Sequence, residues 1–399
     1  MNDLKLSPSE LDYLLSPAAI RASTSKIYDY VQSGKSNFQI HLSKLDFVTD
    51  YVLKVIEKNY PDLNIPFHSR WGHFRVGGID RALQLEKINS DKLEKARVKL
   101  DLVITSVLLD AGAGAAWSYK EESTNKTFSR SEGLGVASFY LFMSGLLSAD
   151  KKSLKADSAG LKNLTETDIN HFFQVGPKNP LLGVPGRLQL LNNLSTALEN
   201  KTIFKDSRPG NILDYLISKY PSEIPATAIL KAVLDGLGPI WPGRLSSGKT
   251  NLGDVWKHAA TDSLVAFHKL SQWMTYSLIE PIQEAGFIVT GAEKLTGLAE
   301  YRNGGLMIDS GLISVKDPKQ LKISHAPDSD FIIEWRALTI YFLDVLGERI
   351  QKALGKSPAD FPLAKVLEGG TWWAGRFLAK EKRENGDPPI QIKSDGTVF

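Results

Sequence analysis

Between Phe267 and Asp309 the chain reads FHKLSQWMTYSLIEPIQEAGFIVTGAEKLTGLAEYRNGGLMID, and this stretch constrains the fold most. It opens as a helix that Pro281 is expected to limit. On a 3.6-residue period Phe267, Leu270, Met274 and Leu278 share one face. Lys269, Gln272, Trp273 and Tyr276 fall on the opposite face. A helix apolar on one side and solvated on the other would sit at a surface. Here the second face carries a cation, an amide, an indole and a phenol, the groups that line a polar pocket. After the helix, LTGLAEYRNGG places Glu300, Arg302 and Asn303 beside two glycines that let a backbone approach a ligand closely. The plain structural alternative is a buried helix followed by a salt-bridged glycine turn.

The same helical texture runs through the chain. Residues 18–33 and 43–59 predict amphipathic helices. Residues 91–110 start amphipathic and become apolar all round, so that helix runs into the core and ends at Asp110 before Ala-Gly-Ala-Gly. A carboxylate there faces the negative end of the helix dipole and needs a partner or a ligand, unless it only bonds the glycine turn. KEESTNKTF reads as a hairpin-like loop, and RSEGLG leads into another apolar helix reaching Leu147. Short strands are expected between Asp309 and a long helix over 331–353, which holds Glu334-Trp335-Arg336. The fold class is therefore mainly α with a minor β component. The C-terminal part stays rich in Gly and Trp, which predicts a packed end with Phe399 buried. Ligand-binding clusters recur at 65–81, 110–135, 267–309, 334–336 and 369–376. That spread predicts one large domain over 1–399 whose cleft draws on both halves.

Composition removes several function classes. The 399 residues carry a net charge of +3 with no basic block, so nucleic-acid binding has no support. Cysteine is absent, which excludes disulfides, thiolate metal sites and a cysteine nucleophile. No apolar run reaches the ~20 residues of a membrane span, and no secretory leader opens the chain. This is the pattern of a cytoplasmic protein, and the Asn-X-Ser/Thr sequons are read as chance. Gly243-Arg-Leu-Ser-Ser-Gly248-Lys249-Thr250 matches a phosphate-loop expression, but GPIWP before it cannot be a central strand. No zinc helix, nucleophile elbow or dinucleotide fingerprint occurs. What remains is a surplus of cations, carboxylates and indoles in glycine-containing loops. The richest is IPFHSRWGHFRVGGIDR, with His68, Arg70 and Trp71, where guanidinium forks suit phosphate or carboxylate.

IPFHSRWGHF, LLDAGAG, RSEGLGVASF, NPLLGVPGR, RPGNILD, FHKLSQWMTYSLIEP, LTGLAEYRNGGLMID, EWRALT, GGTWWAGR and SDGTVF together resemble the uracil-catabolism protein family, over residues 15–399. That family degrades uracil through its ribonucleotide, with ribosylurea and urea as intermediates. Its pathway position implies a step after pyrimidine ring opening. A more distant likeness is to the queuosine-nucleotide N-glycosidases, whose Lys-x-x-Gln helix is followed by an Ala-Asp-Tyr-Arg segment with a catalytic acid. Lys269-Leu-Ser-Gln272 and Ala299-Glu300-Tyr301-Arg302 are similar in order and spacing. The acid here is Glu300, and Asn-Gly-Gly follows the Arg in place of a Val-Pro-Gln type ending, which implies a different leaving group. The likeness implies a mostly helical fold related to helix-hairpin-helix glycosylases.

Taken together these resemblances imply a cofactor-independent hydrolase acting on a phosphorylated ribosyl substrate. Departure of urea from ribosylurea phosphate leaves oxocarbenium character on the ribose. Glu300 would stabilise it, attack it, or activate water. Asp110 or Glu334 would supply the proton. Lys269, Arg70 and Arg302 would hold phosphate, with Trp71, Trp273 or Tyr276 beside the sugar and His68, Gln272 and Asn303 completing the binding set. No metal ligand is assigned. Two other readings stay open: a non-catalytic nucleotide-binding or scaffold component, and an amide hydrolase releasing ammonia.

Overall fold

A computed structural model describes residues 2–110, 112–114, 116–242 and 244–393. Phe399 lies outside the described residues. The protein is mainly α, and its strands are two to four residues long. Helices fall where the apolar period placed them, at Pro17–Gln32, Leu45–Asn59, Lys92–Leu108, Arg130–Met143 and Asp330–Leu354. Three of these five helices start at a side-chain cap, and Ser16 accepts the Ala19 N–H at the first of them. Asp91 caps Lys92–Leu108 and Ser329 caps Asp330–Leu354, each side chain accepting a first-turn amide. From Val98 to Leu108 every position of Lys92–Leu108 is buried, as its apolar second half predicts.

Contacts divide the chain into two units. One takes Met1–His68, Arg244–Gln272 and Gly291–Ser394; the other takes Ser69–Gly243 and Trp273–Thr290. In the first unit, early and late segments interleave. Ile313–Val315 pairs antiparallel with Phe38–Ile40. The phosphate-loop match falls in a hairpin instead, with Ser247 paired to Thr250 across Gly248 and no helix after it. Tyr301–Asp309 and Trp372–Lys382 run side by side in the same direction. Gly375 lies on the Arg302 carbonyl, where an added Cβ would sit 2.2 Å from that oxygen, and Arg383 pairs with Asp309 at the far end. Gly304 plays the same part against Trp335: an added Cβ would meet the ring at 2.7 Å, and Trp335 Nε1 donates to the Gly304 carbonyl. Gly304 thus serves helix packing and Gly305 lies against Pro389, where the sequence suggested room for a ligand.

In the second unit the KEESTNKTF segment is the expected hairpin, Ser118–Glu121 against Lys126–Ser129. Its last strand residue, Glu121, is buried with Arg81 in a doubly bonded pair at 2.6 Å. Thr124 and Tyr140 hydroxyls donate to the same carboxylate at 2.7 and 2.8 Å. Burial alone would raise the Glu121 carboxyl, but bonds from Arg81, Thr124 and Tyr140 outweigh it and hold it at about 2, against an ordinary 4.5. A carboxyl depressed by folding stabilises fully above its unfolded value and loses that contribution as pH falls through the folded one. The unfolding midpoint should therefore drop between about pH 4.5 and pH 2. Glu121→Gln should flatten that drop and, by stranding a buried guanidinium, cost ~3–5 kcal/mol near neutrality. Urea midpoints measured across this range for both proteins check it, and an unchanged acid limb in the variant would refute it.

The helix first singled out spans Lys269–Glu284, with Pro281 inside it. It starts two residues later than the Phe267 face suggested, and it does not stop at the proline. Pro281 has no N–H to offer the Ser277 carbonyl one turn back. That carbonyl accepts from Trp71 Nε1 instead, at 2.8 Å. Ser277 Oγ in turn accepts from the Arg70 backbone N–H at 2.9 Å. The short helix Arg70–Phe74 is thereby fixed onto the proline notch.

Candidate functional site

From Ser271 to Ile279 the Lys269–Glu284 helix is buried around its whole circumference. Its polar residues are therefore shielded from bulk solvent, and an unmet hydrogen-bonding group there is costly. Gln272 belongs to the first unit and is fully buried, yet neither Nε2 nor Oε1 has a partner. Asn303 is also fully buried: its Nδ2 reaches the Leu298 carbonyl at 3.4 Å, and its Oδ1 meets nothing. Thr371, buried at the start of Trp372–Lys382, has an unpartnered hydroxyl. Both side-chain polar atoms of Gln272, the Asn303 Oδ1 and the Thr371 hydroxyl are thus buried hydrogen-bonding groups left without a partner.

Glu300 is the N-cap of Tyr301–Asp309. One carboxylate oxygen accepts the Asn303 N–H at 2.8 Å. The residue is 8% exposed, and no cation pairs with it among the described residues. One oxygen is thus fixed by the helix end. The fixed oxygen also places the charge on the positive end of the helix dipole. Arg302, one turn into the fold, donates Nη1 to the Gly386 carbonyl at 2.7 Å and lies over the Tyr301 ring.

The helix start is set by Asp254, which the sequence reading passed over. Its Oδ2 accepts the Lys269 N–H at 3.0 Å, and Arg336 grips the carboxylate with two bonds of 2.7 and 2.8 Å. Burial would raise this carboxyl, but Arg336 overrides it and holds it well below the usual range. The Arg336 guanidinium lies 4.0 Å from the Phe267 ring centre. The Lys269 side chain is half-buried. Glu334 is enclosed by other partners: its Oε2 accepts the Asn37 N–H and Nδ2 at 2.9 and 3.1 Å, and His258 Nε2 faces Oε1 at 3.3 Å. His68 Nδ1 is 2.7 Å from Glu368 Oε2, and Glu368 was also missed. GGTWW had drawn notice for its glycines and indoles, and the acid directly before it was the available signal.

The second unit gathers Arg70, Asp110 and Trp273. Arg70 is fully buried. It donates Nε to Ser106 Oγ at 2.7 Å and Nη1 to Asp110 at 2.6 Å, with His73 Nδ1 at 3.1 Å from the same nitrogen. Its Nη2 has no partner, and neither has the Trp273 Nε1 N–H. The guanidinium lies 5.7 Å from the Trp273 ring centre. Burial draws its pKa down and Asp110 opposes that. Arg187 ties the turn after Asp110 in place through the Leu109, Gly112 and Leu182 carbonyls, and burial draws it down to about 10. Trp71 has its N–H engaged by the Ser277 carbonyl, and Tyr276 is fully buried.

A family profile described as Protein of unknown function (DUF1688) matches residues 13–399. The chain belongs to the DUF1688 family. It is 39% identical to Uracil catabolism protein 4 of Lachancea kluyveri, a match covering 98% of this chain and 99% of that protein. It is 37% identical to Protein urg3 of Schizosaccharomyces pombe, covering 99% of this chain and all of that protein. The motif resemblance to the uracil-catabolism proteins is thereby borne out along nearly the whole chain. Among the described residues of this DUF1688 member, no helix is long and apolar enough to cross a membrane. Nor does any group of three or more His, Asp or Glu side chains there form a metal-binding cluster.

Proposed function

We propose that this protein acts in uracil catabolism by hydrolysing the N-ribosidic bond of a ring-opened uracil ribonucleotide, a ribosylurea phosphate, to urea and ribose phosphate. The observation that carries this reading is the Glu300 carboxylate, anchored by one oxygen at a helix end and unpaired with any cation among the described residues. An unneutralised, fixed anion suits a reaction that develops positive charge, and glycosidic cleavage does so at the anomeric carbon. The buried carboxamides of Gln272 and Asn303 favour a leaving group with amide-like donors and acceptors, which urea has. Lys269, at the start of the same helix as Gln272, would attract the phosphate. The relative named for uracil catabolism supplies the pathway.

The test is to incubate the purified protein with ribosylurea phosphate and assay the nitrogen product. Urea with stoichiometric ribose phosphate supports the hydrolase. Ammonia would instead mean attack on the urea amide, and saturable binding without turnover would mean a binding component.

A further inference from the structure

The proposed cleavage needs a proton for the departing urea nitrogen, because a urea anion is a poor leaving group. Asp110 is held by Arg70, and Glu334 accepts from the Asn37 N–H and Nδ2. Within the first unit, a different group has the features of a proton donor. His68 is buried to 8% exposure, and its Nδ1 is fixed on Glu368 Oε2 at 2.7 Å. Its backbone N–H donates to the Ala364 carbonyl at 3.0 Å, which anchors the main chain that carries the ring. No hydrogen bond engages its Nε2 among the described residues. A carboxylate on one imidazole nitrogen fixes the ring's orientation and leaves the other nitrogen for proton transfer. Around the pair stand Tyr60, whose phenol burial and then Glu368 push up to about 12, and Trp372, with Arg376 over its ring.

Location adds a second argument. Glu368 lies in a π-helical turn, Leu367–Thr371, that runs directly into Trp372–Lys382. Single π turns inside helices recur at functional sites. Trp372–Lys382 runs parallel to Tyr301–Asp309, with Gly375 level with Arg302 and Arg383 level with Asp309. One turn back from Gly375 on the same face is Thr371, with its unpartnered hydroxyl. One turn back from Arg302 is the chain just before Glu300. The beginnings of the two helices therefore lie together. One brings the Glu300 carboxylate, and the other brings Thr371 and, about 10 Å along the axis from Gly375, Glu368 with His68.

We propose that His68, oriented by Glu368, is the proton donor to the departing urea; this rests on the N-ribosidic reading. The C1–N bond breaks, its electron pair goes to the urea nitrogen, and the His68 imidazolium, held on Glu368 through Nδ1, gives its Nε2 proton to that nitrogen and becomes neutral imidazole. Water adds to C1 and loses its proton to Glu300, which returns it to solvent, and His68 takes up another. The sum is substrate plus water giving urea and ribose phosphate. Glu368 is a positioning residue.

The experiment compares two substrates with leaving groups of different need. On ribosylurea phosphate, His68→Gln should lose ~10²–10⁴-fold in kcat, the range for a positioned acid. On ribosyl fluoride 5-phosphate, whose fluoride departs without a donor, the same variant should stay within about tenfold of wild type. Glu300→Gln should fall on both. Glu368→Gln should show the selectivity of His68→Gln at smaller amplitude, and it serves as the test if His68→Gln does not fold. Equal losses of His68→Gln on both substrates, or none on either, overturn the donor while leaving the hydrolase standing. A wild type inert toward ribosylurea phosphate overturns the hydrolase reading itself.

Discussion

Glu300→Gln is expected to fold as the wild type does and to lose ~10²–10⁴-fold in kcat on ribosylurea phosphate, with KM little changed. A hundredfold loss is ~2.7 kcal/mol of transition-state stabilisation. The reason for an intact fold is local. The Glu300 contact that the helix needs is an oxygen accepting the Asn303 N–H, and a glutamine carboxamide oxygen can accept the same bond. The negative charge on the helix N-terminus is lost, at ~0.3–1 kcal/mol. The charge itself is what the reaction would feel, since it faces a cation that exists only in the transition state. Glu300→Asp separates the two effects. Aspartate is the better cap, so stability should hold or rise. The free oxygen withdraws by about one carbon–carbon bond, ~1.5 Å, so turnover should still fall sharply. Thermal melts beside single-turnover kinetics decide the matter. Full activity in Glu300→Gln, or a melting temperature that falls in step with activity, removes Glu300 from the chemistry.

The helices were legible because each depends on a short window of sequence. Lys92–Leu108 and Asp330–Leu354 have caps and apolar periods within reach of their own residues. Pro281 was misread because its consequence depends on Trp71, distant in sequence, whose indole replaces the missing donor. Gly304 carried the right signal, close approach, but its partner is the Trp335 ring on another helix. The phosphate-loop match was rightly set aside, since the strand and helix that give such a loop its anion site are absent from the hairpin there. Among site residues, sequence singled out Glu300, Asn303, Gln272, Arg70 and Asp110 by chemical type. It could not reveal that Arg70 meets Asp110, that Glu334 accepts from Asn37, or that Glu368 orients His68. Each pairing joins positions far apart in the chain, and nothing in a single sequence encodes which distant charges meet. The unsatisfied state of Gln272 was likewise invisible, because a missing partner is a property of the packed interior.

Arg70→Met should destabilise the protein by ~3–5 kcal/mol, the scale for breaking a buried pair and stranding its partner. The geometry makes this one of the larger single-residue effects available in the second unit. Arg70 is fully buried, joins Ser106, Asp110 and His73, and lies beside the Trp273 ring. Methionine fills similar volume, so the loss should come mainly from the Asp110 charge, whose side chain is only 10% exposed. Removing that charge as well, in Arg70→Met/Asp110→Leu, should recover most of the stability, because a buried pair exchanged for apolar groups is often close to neutral. The double variant then isolates the ligand question. Arg70 Nη2 and Trp273 Nε1 are donors without partners, and an anion accepting from both would satisfy them. Inorganic phosphate should quench or shift Trp273 fluorescence in the wild type, and the response should vanish in the stable double variant. A double variant that folds and still responds to phosphate would leave Arg70 with a packing role alone. One that stays as unstable as Arg70→Met would show that the cost lay in lost packing and hydrogen bonds, with little from the stranded carboxylate.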